Sequence, residues 1–556
     1  MEKNILIGGE AGQGLQTTAK ILGKTLFKEG FHIFSSKDYM SRVRGGHNFI
    51  KIRISDQEIH GPADKVDLLV ALNEETKNIH QDKLKDDALI IAGGGDEKKE
   101  RLIKLPAQKI AKEVNEKALN IIFVGAVLKV LGLETTICQQ VINDSFGKES
   151  IVEDNITLLK KGFELMTADK SVDVDLEKRE EIYLDGNTAL GLGAVAGGLK
   201  FYAAYPMSPS TSIMNYIAKH QEKTKVVIEQ AEDEIAAINM ALGGSYGGVR
   251  SMTATSGGGF SLMTEALGLA GITETPLVIA NVQRPGPATG LPTRTEQGDL
   301  QFVINASQGE FPLMVIAPRE AEDAFYQAAR ALNLADKYQI PVIILSDQFL
   351  ADSSKNLPEF DYDKITVDKS LADVSADDYK RYEITANGIS PRIYPGQVKD
   401  QVVLVDSDEH DEYGHIIEDA ATRKEMVDKR DRKIEKLKEE DLLEPEYLGD
   451  SEIDYLLVAF GSTSGPLTEA ISLLKQDDIK AGALLFNDVW PLPAEKLKKW
   501  DEKDVTMITV ENNATAQLAR LIQGEKLIKI SDSILKYDGR PFSGQEIYHS
   551  FKEEVM

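Results

Sequence analysis

"VVIEQAEDEIAAINMALGGSYGGVRSMTATSGGGFSLMTEALG", residues 226–268, sets two short extended apolar runs ahead of two alanine- and glycine-rich helical patterns. A strand feeding a helix that returns to another strand is the pattern of a parallel sheet covered by helices, so the stretch predicts an α/β layer. The alternation continues outward. "PLVIANVQ", "FPLMVIAP" and "IPVIILSD" follow, predicting a buried, parallel sheet over 176–355. Residues 1–175 show the same rhythm, with "NILIGG", "VDLLVAL" and "DALIIAGGG" set between amphipathic stretches such as "LQTTAKILGKTLFKEG". A charged stretch without sustained period, 167–181, joins the two. Residues 356–450 lose the alternation and carry dense charge; they read as an arm or linker whose later half is a solvated helix. A third α/β unit, 451–556, closes the chain.

A chain of 556 residues exceeds what one hydrophobic core serves, so two to four domains are expected. The formal net charge of -26 repels nucleic acid and anionic membranes unless the basic residues are concentrated. The single cysteine, Cys138, excludes an internal disulfide, a thiolate-bound cluster or a four-cysteine zinc site within this chain. No run of apolar residues is long enough to span a bilayer, and the first residues lack the pattern of a signal peptide; the expectation is a cytoplasmic protein.

Several turns carry candidate chemistry. "GGEAGQG", 8–14, lies between a strand and a helix, where backbone N–H groups can cradle an anion; Gly9, Gly12 and Gly14 serve either that purpose or only a tight turn. Leu15 and Gln16 stand where a phosphate-binding P-loop has lysine and a hydroxyl residue, which disfavours ATP, and no dinucleotide fingerprint runs through the turn. "SRVRGGHNFIKIRIS", 41–55, gathers Arg42, Arg44, His47, Lys51 and Arg53: a dock for an acidic partner, or an edge strand with a wet basic face. Glu229, Glu232 and Glu234 open the alanine-rich helix, as acidic residues in first turns often do, but Ala236 and Ala237 allow close packing beside Glu234. "ATSGGGF", 254–260, and the proline-rich loop 281–300 with its two arginines follow strand ends, where open α/β sheets bind ligands. "YPMSPST", 205–211, breaks a run of small apolar residues with two prolines and three hydroxyls, a composition that neither a helix interior nor a central strand would choose.

Together "GNTALGLGAVAGGLKFYAAYPMSPSTSIMNYIA", "EQAEDEIAAINMALGGSYGGVRSMTATSGGGFSLMTEALGLAG" and "GPATGLPTRTEQGDL" resemble the alpha subunit of 2-oxoacid:ferredoxin oxidoreductases. Residues 1–175, with "GGEAGQG" and "RGGHNF", resemble the gamma subunit of the same enzymes fused ahead of alpha, and "RYEITANGISPRIYPG", "NDVWPLP", "VENNATAQLARLI" and "KYDGRPF" extend the likeness over nearly the whole chain. The resemblance implies a gamma-type domain over 1–175, a thiamine diphosphate pyrimidine-binding-type domain over 176–355, a linker or arm over 356–450 and a transketolase C-terminal-like domain over 451–556. It implies oxidative decarboxylation of a 2-oxoacid, transfer of the acyl group to coenzyme A and electrons passed to ferredoxin. A separate beta subunit would hold the cofactor's diphosphate, Mg2+ and an iron-sulfur cluster, for which this chain has neither a G-D-G stretch nor cysteines. A dimer of heterodimers is the expected assembly.

Residue by residue, "YPMSPST" matches the family's Y-P-I-T-P-S/T loop, with Ser208 in place of the threonine that lies near the substrate carboxylate; Tyr205 joins it at the substrate and Pro206 at the cofactor. A serine keeps the hydroxyl donor and loses a methyl. Arg294 matches the arginine that pairs with the same carboxylate. Glu234 falls at the glutamate that contacts the aminopyrimidine and favours its imino tautomer, with Glu229 and Glu232 as competitors. Ser256 and Gly257 complete the expected cofactor contacts, and Gly9, Gly12, Gly14 and Arg44 are the expected contacts of coenzyme A or another anion. "GISPRIYPG" and "DEHDEYG" resemble the 2-oxoglutarate-type subunits, a dicarboxylate reading that needs a second cation, with Arg392 or His410 the residues considered. Pyruvate or a broad range of oxoacids stands as the alternative. So do another thiamine enzyme, disfavoured by the missing diphosphate site, and a non-catalytic assembly subunit.

Overall fold

A computed structural model describes residues 1–10, 13–41, 46–94, 97–99, 101–167, 170–172, 176, 179–373, 379–501 and 505–556. Two compact units emerge. The first comprises Met1–Leu184 with the short returns Ser353–Glu359 and Ser543–Glu546; the second comprises Asp185–Asp352, Phe360–Phe542 and Ile547–Met556. Among the described residues no helix is long and apolar enough to cross a membrane.

In the first unit the strands Glu2–Glu10, Val66–Ala71, Leu84–Gly93 and Leu102–Leu105 run parallel, as the alternating pattern predicts. The sheet then continues beyond them. His47–Ser55 pairs antiparallel with Glu2–Glu10 on one side and with His32–Asp38 on the other, and Ser354–Pro358, which straddles the boundary expected between the domain over 176–355 and the arm, adds antiparallel to His32–Asp38. The basic stretch is therefore an inner strand and not a wet edge. Its described cations, Lys51 and Arg53, turn inward: Lys51 Nζ donates to the Ala63 carbonyl at 3.2 Å, and Arg53 bonds the Gly61 carbonyl and Glu2, while Arg42 lies outside the described residues. Buried His47 and His80 meet with Nε2 atoms 2.7 Å apart. Helices Ile121–Val130 and Glu149–Glu164 cover the sheet and touch through Gly125 and Gly162, where a Cβ on either would overlap the other's backbone.

The second unit holds two sheets. In the larger, Val227–Gln230, Phe201–Ala204, Ser251–Thr255, Leu277–Gln283, Pro341–Asp347 and Met314–Ile316 lie side by side and parallel. Leu277–Gln283 and Pro341–Asp347 are buried along their whole length, which accounts for their unbroken apolar runs. Asp488–Trp490, from the C-terminal region, closes one edge antiparallel to Met314–Ile316. The smaller sheet runs Glu446–Leu448, Ala481–Phe486, Tyr455–Phe460, Thr506–Glu511, Asp532–Leu535, parallel but for the first. One core serves both sheets, with Phe260, Ile343 and Leu345 in the same cluster as Phe460, Leu484 and Phe486.

The charged segment 356–450 departs from its sequence reading. Its helix, Ala420–Glu440, forms and is capped by Asp419, whose side chain accepts from Thr422 N. It is not solvated on all sides, because Lys429 and Lys433, one turn apart, are fully buried against Glu274. Lys429 Nζ lies 2.6 Å from Glu274 Oε1, Lys433 pairs with the other oxygen, and Arg381 donates to the carbonyl of Glu274. Burial alone would raise the Glu274 carboxyl, yet the charges of Lys429, Lys433 and Arg381 hold it well below the usual carboxylate range. One carboxylate cannot neutralise two ammoniums. Burial, with repulsion from Lys429, therefore pulls Lys433 down to about 7 against the opposing attraction of Glu274.

Lysine in the unfolded chain titrates near 10.4, so between about pH 7 and 10 the folded state holds fewer protons than the unfolded one and stability rises with pH. We expect urea unfolding between pH 7 and 10 to show that rise, and Lys433→Met to flatten it. Glu274→Ala, which leaves two buried ammoniums unpaired, should cost about 3–5 kcal/mol at neutral pH.

Candidate active site

The carboxyl ends of the larger sheet's strands meet at one rim, and the candidate residues of the second unit lie on it. Strand Phe201–Ala204 delivers Tyr205–Thr211, strand Val227–Gln230 delivers Glu234, strand Ser251–Thr255 delivers Ser256 and the glycines, and strand Leu277–Gln283 delivers Arg284. Three contacts join these loops. Met207 packs on the glycine turn, with Thr255 Oγ1 3.4 Å from its sulfur and its methyl close to Gly258. The Glu234 carboxylate sits against Gly259, in space that a side chain at 259 would need. Arg284 Nη1 donates to the Ser208 carbonyl at 2.6 Å.

Local chemistry explains each placement. Asp233, not Glu234, caps helix Glu234–Tyr246, accepting from Ala236 N at 2.8 Å. That leaves Glu234, only 5% exposed, free of the capping role, while Glu229 and Glu232 are exposed to solvent. Ser256 stands at the N-cap position of helix Gly257–Ile272 but makes no capping bond, and its buried Oγ has no partner among the described residues. Tyr205 and Ser208 are exposed and Pro206 is half-buried.

Behind this row lies a layer that the sequence did not single out. The Asp299 carboxylate lies over Gly257, its oxygens 2.5 and 2.8 Å from where a Cβ would sit, and accepts from Asn281 Nδ2 at 3.0 Å. Burial raises the Asp299 carboxyl against the opposing hydrogen bond of Asn281 and charge of Arg284. Glu296 is raised by burial and by Asp299 beside it. Asn281 Oδ1 is buried without a partner among the described residues. The only sequence signal for Asp299 was its place in "EQGDL", ahead of the short helix Leu300–Ile304.

Arg294 lies farther along the same loop. It is half-buried, its Nη1 donates to the Thr293 carbonyl, and its Cβ and Cγ pack at Gly539. The structure thus sets Arg284 directly on the "YPMSPST" loop and Arg294 beside Gly539. Arg392 and His410 lie elsewhere, buried: Arg392 bonds Asp336 at 2.6 Å and the Lys369 carbonyl, and His410 packs tilted against Tyr382 with ring centroids 3.9 Å apart. Neither is available as the second cation of a dicarboxylate site.

In the first unit Gly14 adopts φ 74° at the N-terminus of helix Leu15–Glu29, where no side chain caps the free N–H groups. Gly9 is filled by Gln13, whose Oε1 accepts from Glu10 N. A cavity of about 430 Å³ opens beside this turn, lined by Gly14, Gln16, Thr17, Lys37, Tyr39 and Asn48 among others. Gly12 and Arg44 lie outside the described residues.

Three family models match this chain. Residues 4–165 match a family described as pyruvate ferredoxin/flavodoxin oxidoreductase, 192–429 its thiamine diphosphate-binding domain, and 453–547 the core domain II of pyruvate:ferredoxin oxidoreductase. The alpha subunit of a 2-oxoacid:ferredoxin oxidoreductase from Sulfolobus is 34% identical over 98% of this chain and 96% of its own length. The KorA subunit of a 2-oxoglutarate oxidoreductase from Mycobacterium tuberculosis is 28% identical over 98% and 90%. A solved structure of 2-oxoglutarate:ferredoxin oxidoreductase from Magnetococcus marinus, with 2-oxoglutarate, coenzyme A and succinyl-CoA bound, superposes with a TM-score of 0.93 at 32% identity, covering all of both chains.

The tightness of the Glu234 site can be measured without any ligand. Gly259→Ala, whose methyl would overlap Glu234 and Thr255, should destabilise the chain by about 1–3 kcal/mol in urea unfolding. Gly243→Ala, whose methyl meets open space on helix Glu234–Tyr246, should stabilise it by up to about 1 kcal/mol.

Proposed function

Since the chain belongs to the alpha subunits of 2-oxoacid:ferredoxin oxidoreductases, with a gamma-type domain fused ahead of the alpha part, we propose that its oxoacid is 2-oxoglutarate and that the strand-end rim of the second unit binds it beside thiamine diphosphate. The observation that carries the reading is the meeting of Glu234, the Ser256–Gly259 turn and the Arg284-pinned Ser208 loop at one edge. The residues fit the cofactor: a buried carboxylate faces the turn, and Ser256 Oγ and Asn281 Oδ1 await partners. Pro206, Glu234, Ser256 and Gly257 would hold its pyrimidine side. Thiamine diphosphate, when bound, supplies the electron sink that decarboxylation of a 2-oxoacid requires.

The protein's own work is placement and proton control. Glu234 Oε1 would hold a proton shared with the pyrimidine nitrogen, an interaction that burial strengthens. Arg284 and the Ser208 hydroxyl orient the substrate carboxylate, and Tyr205 lines its approach; a guanidinium there offers charge-assisted bonds to a planar anion. Arg294, half-buried on the same loop, supplies the second cation that a dicarboxylate needs. The bound ligands named for the Magnetococcus structure support 2-oxoglutarate. The general name of the Sulfolobus relative supports a second reading, a broad range of oxoacids including pyruvate.

Coenzyme A would meet the first unit at the cavity beside Gly14, where the uncapped helix N-terminus and Lys37 suit its phosphates. A beta subunit would bring Mg2+, the diphosphate site and the iron-sulfur cluster, with ferredoxin as acceptor, in a cytoplasmic dimer of heterodimers. Cys138 is the chain's one cysteine, and it is buried. The exposed apolar side chains Ile235, Met240, Tyr246 and Leu262, on the two helices that carry the site, suit a face that such a subunit covers.

The test is anaerobic co-expression with the beta partner and coenzyme A-dependent viologen reduction. The expected order of kcat/KM is 2-oxoglutarate above 2-oxobutyrate above pyruvate; equal values would favour the broad reading. Glu234→Gln should lower kcat by about 10²- to 10⁴-fold. Arg284→Met and Arg294→Ala should act mainly on KM for the oxoacid, and a complex that carries thiamine diphosphate and clusters yet reduces nothing with any oxoacid would end the proposal.

A further inference from the structure

We propose that Gln297 is a positioning residue for the substrate loop, and that the smaller sheet exists at this site to hold it. The inference rests on the reading of Arg294 given above.

Open parallel sheets bind their ligands outside the carboxyl ends of the strands. In the smaller sheet three parallel strands, Tyr455–Phe460, Thr506–Glu511 and Asp532–Leu535, end at one edge, and what lies there is residues 293–298 of this same chain. From the first strand end, the Phe460 carbonyl accepts from Gln297 Nε2 at 2.9 Å and Thr463 Oγ1 donates to Gln297 Oε1 at 2.8 Å. From the second, Asn512 N donates to Gln297 Oε1 at 3.3 Å, the Asn512 carbonyl accepts from Gln297 N at 2.7 Å, and Asn513 Nδ2 donates to the Gln297 carbonyl at 3.2 Å. From the third, the Gly539 carbonyl accepts from Thr295 N, and Arg294 packs on Gly539.

The side chain also reaches the larger sheet. It lies beside Asp347, the last residue of strand Pro341–Asp347, whose carboxylate accepts from Ser462 Oγ at 2.6 Å. A primary amide offers two donors and two acceptor sites, and Gln297, 1% exposed, uses both kinds on the strand ends of the smaller sheet, Nε2 on Phe460 and Oε1 on Thr463 and Asn512. Gly461, at φ 57°, leaves the room: a Cβ there would stand 3.1 Å from Gln297 Nε2. No aliphatic or charged side chain meets this set, since the first would strand the partners and a carboxylate would face the Phe460 carbonyl and Asp347. A buried polar network with its members satisfied is rigid. Between Gln283 and Leu300 the chain has neither strand nor helix, so its path is fixed by these bonds together with those of Arg294 N to the Leu291 carbonyl, Phe349 N to Thr295 Oγ1 and Gln517 Nε2 to the Gly298 carbonyl.

The experiment uses the complex with the beta partner and reads KM and kcat for 2-oxoglutarate in Gln297→Ala, Arg294→Ala and the double variant. Gln297→Ala should raise KM about 10- to 100-fold with a much smaller change in kcat. The double variant should be no worse than Arg294→Ala alone, because a residue that acts through another cannot add to its loss. Thr463→Val, which removes one donor to Gln297 and leaves the fold intact, should raise KM about threefold and replaces Gln297→Ala if that variant does not assemble. KM unchanged in Arg294→Ala would overturn the carboxylate reading underneath. KM unchanged in Gln297→Ala or Thr463→Val with Arg294→Ala effective, or losses that add in the double variant, would overturn the positioning role alone.

Discussion

Every strand of a parallel sheet leaves its last residue at the same edge, and the loops that follow cannot pair with the sheet. Their backbone groups and side chains find partners among one another, in water or in a ligand. The site of this chain follows from that constraint. Met207, Glu234, Gly259 and Arg284 are far apart in sequence, yet each comes within one to four residues after the end of a strand of the same sheet, so they meet. The glycines at 257–259 are the other half of the condition. Asp299 and Glu234 occupy space that side chains at 257 and 259 would take.

The strands and their crossing helices were legible because buried parallel strands read as unbroken apolar runs. Glu234 was legible because small residues follow it, and its burial separates it from the exposed Glu229 and Glu232. What local pattern could not reach was pairing across distance. Asp488–Trp490 joins a sheet whose other strands end by Asp347, and Ser354–Pro358 returns to a sheet in the first unit. Arg284 and Arg294 are both arginines in one proline-rich loop, and only the fold shows that the first holds the Ser208 carbonyl while the second lies at Gly539.

Charge was the most misleading local signal. A run such as 420–440 reads as a solvated face because lysine is rarely buried, but Lys429 and Lys433 sit one turn apart and share Glu274. The same inversion holds for the basic strand His47–Ser55, where Lys51 and Arg53 bond carbonyls inside the first unit. A charged residue in sequence gives its need for a partner; the partner's position comes only from the fold.

That inward use of cations bears on how so acidic a chain can receive an anion. Arg250, Arg381, Arg392, Lys429 and Lys433 are buried on carboxylates and carbonyls, so none of them lies on the outer surface of a chain whose formal charge is -26. A diffuse field of that sign slows the approach of an oxoacid, but beyond a Debye length of about 8 Å it is largely screened at physiological salt. Inside the rim the nearest charges decide. Arg284 is held there with its guanidinium partly desolvated, which lowers its pKa while Asp299 opposes that shift, and a partly desolvated cation attracts a carboxylate more strongly than an exposed one. Attraction over the last few ångströms is therefore local, set by how firmly the loop that carries both arginines is held.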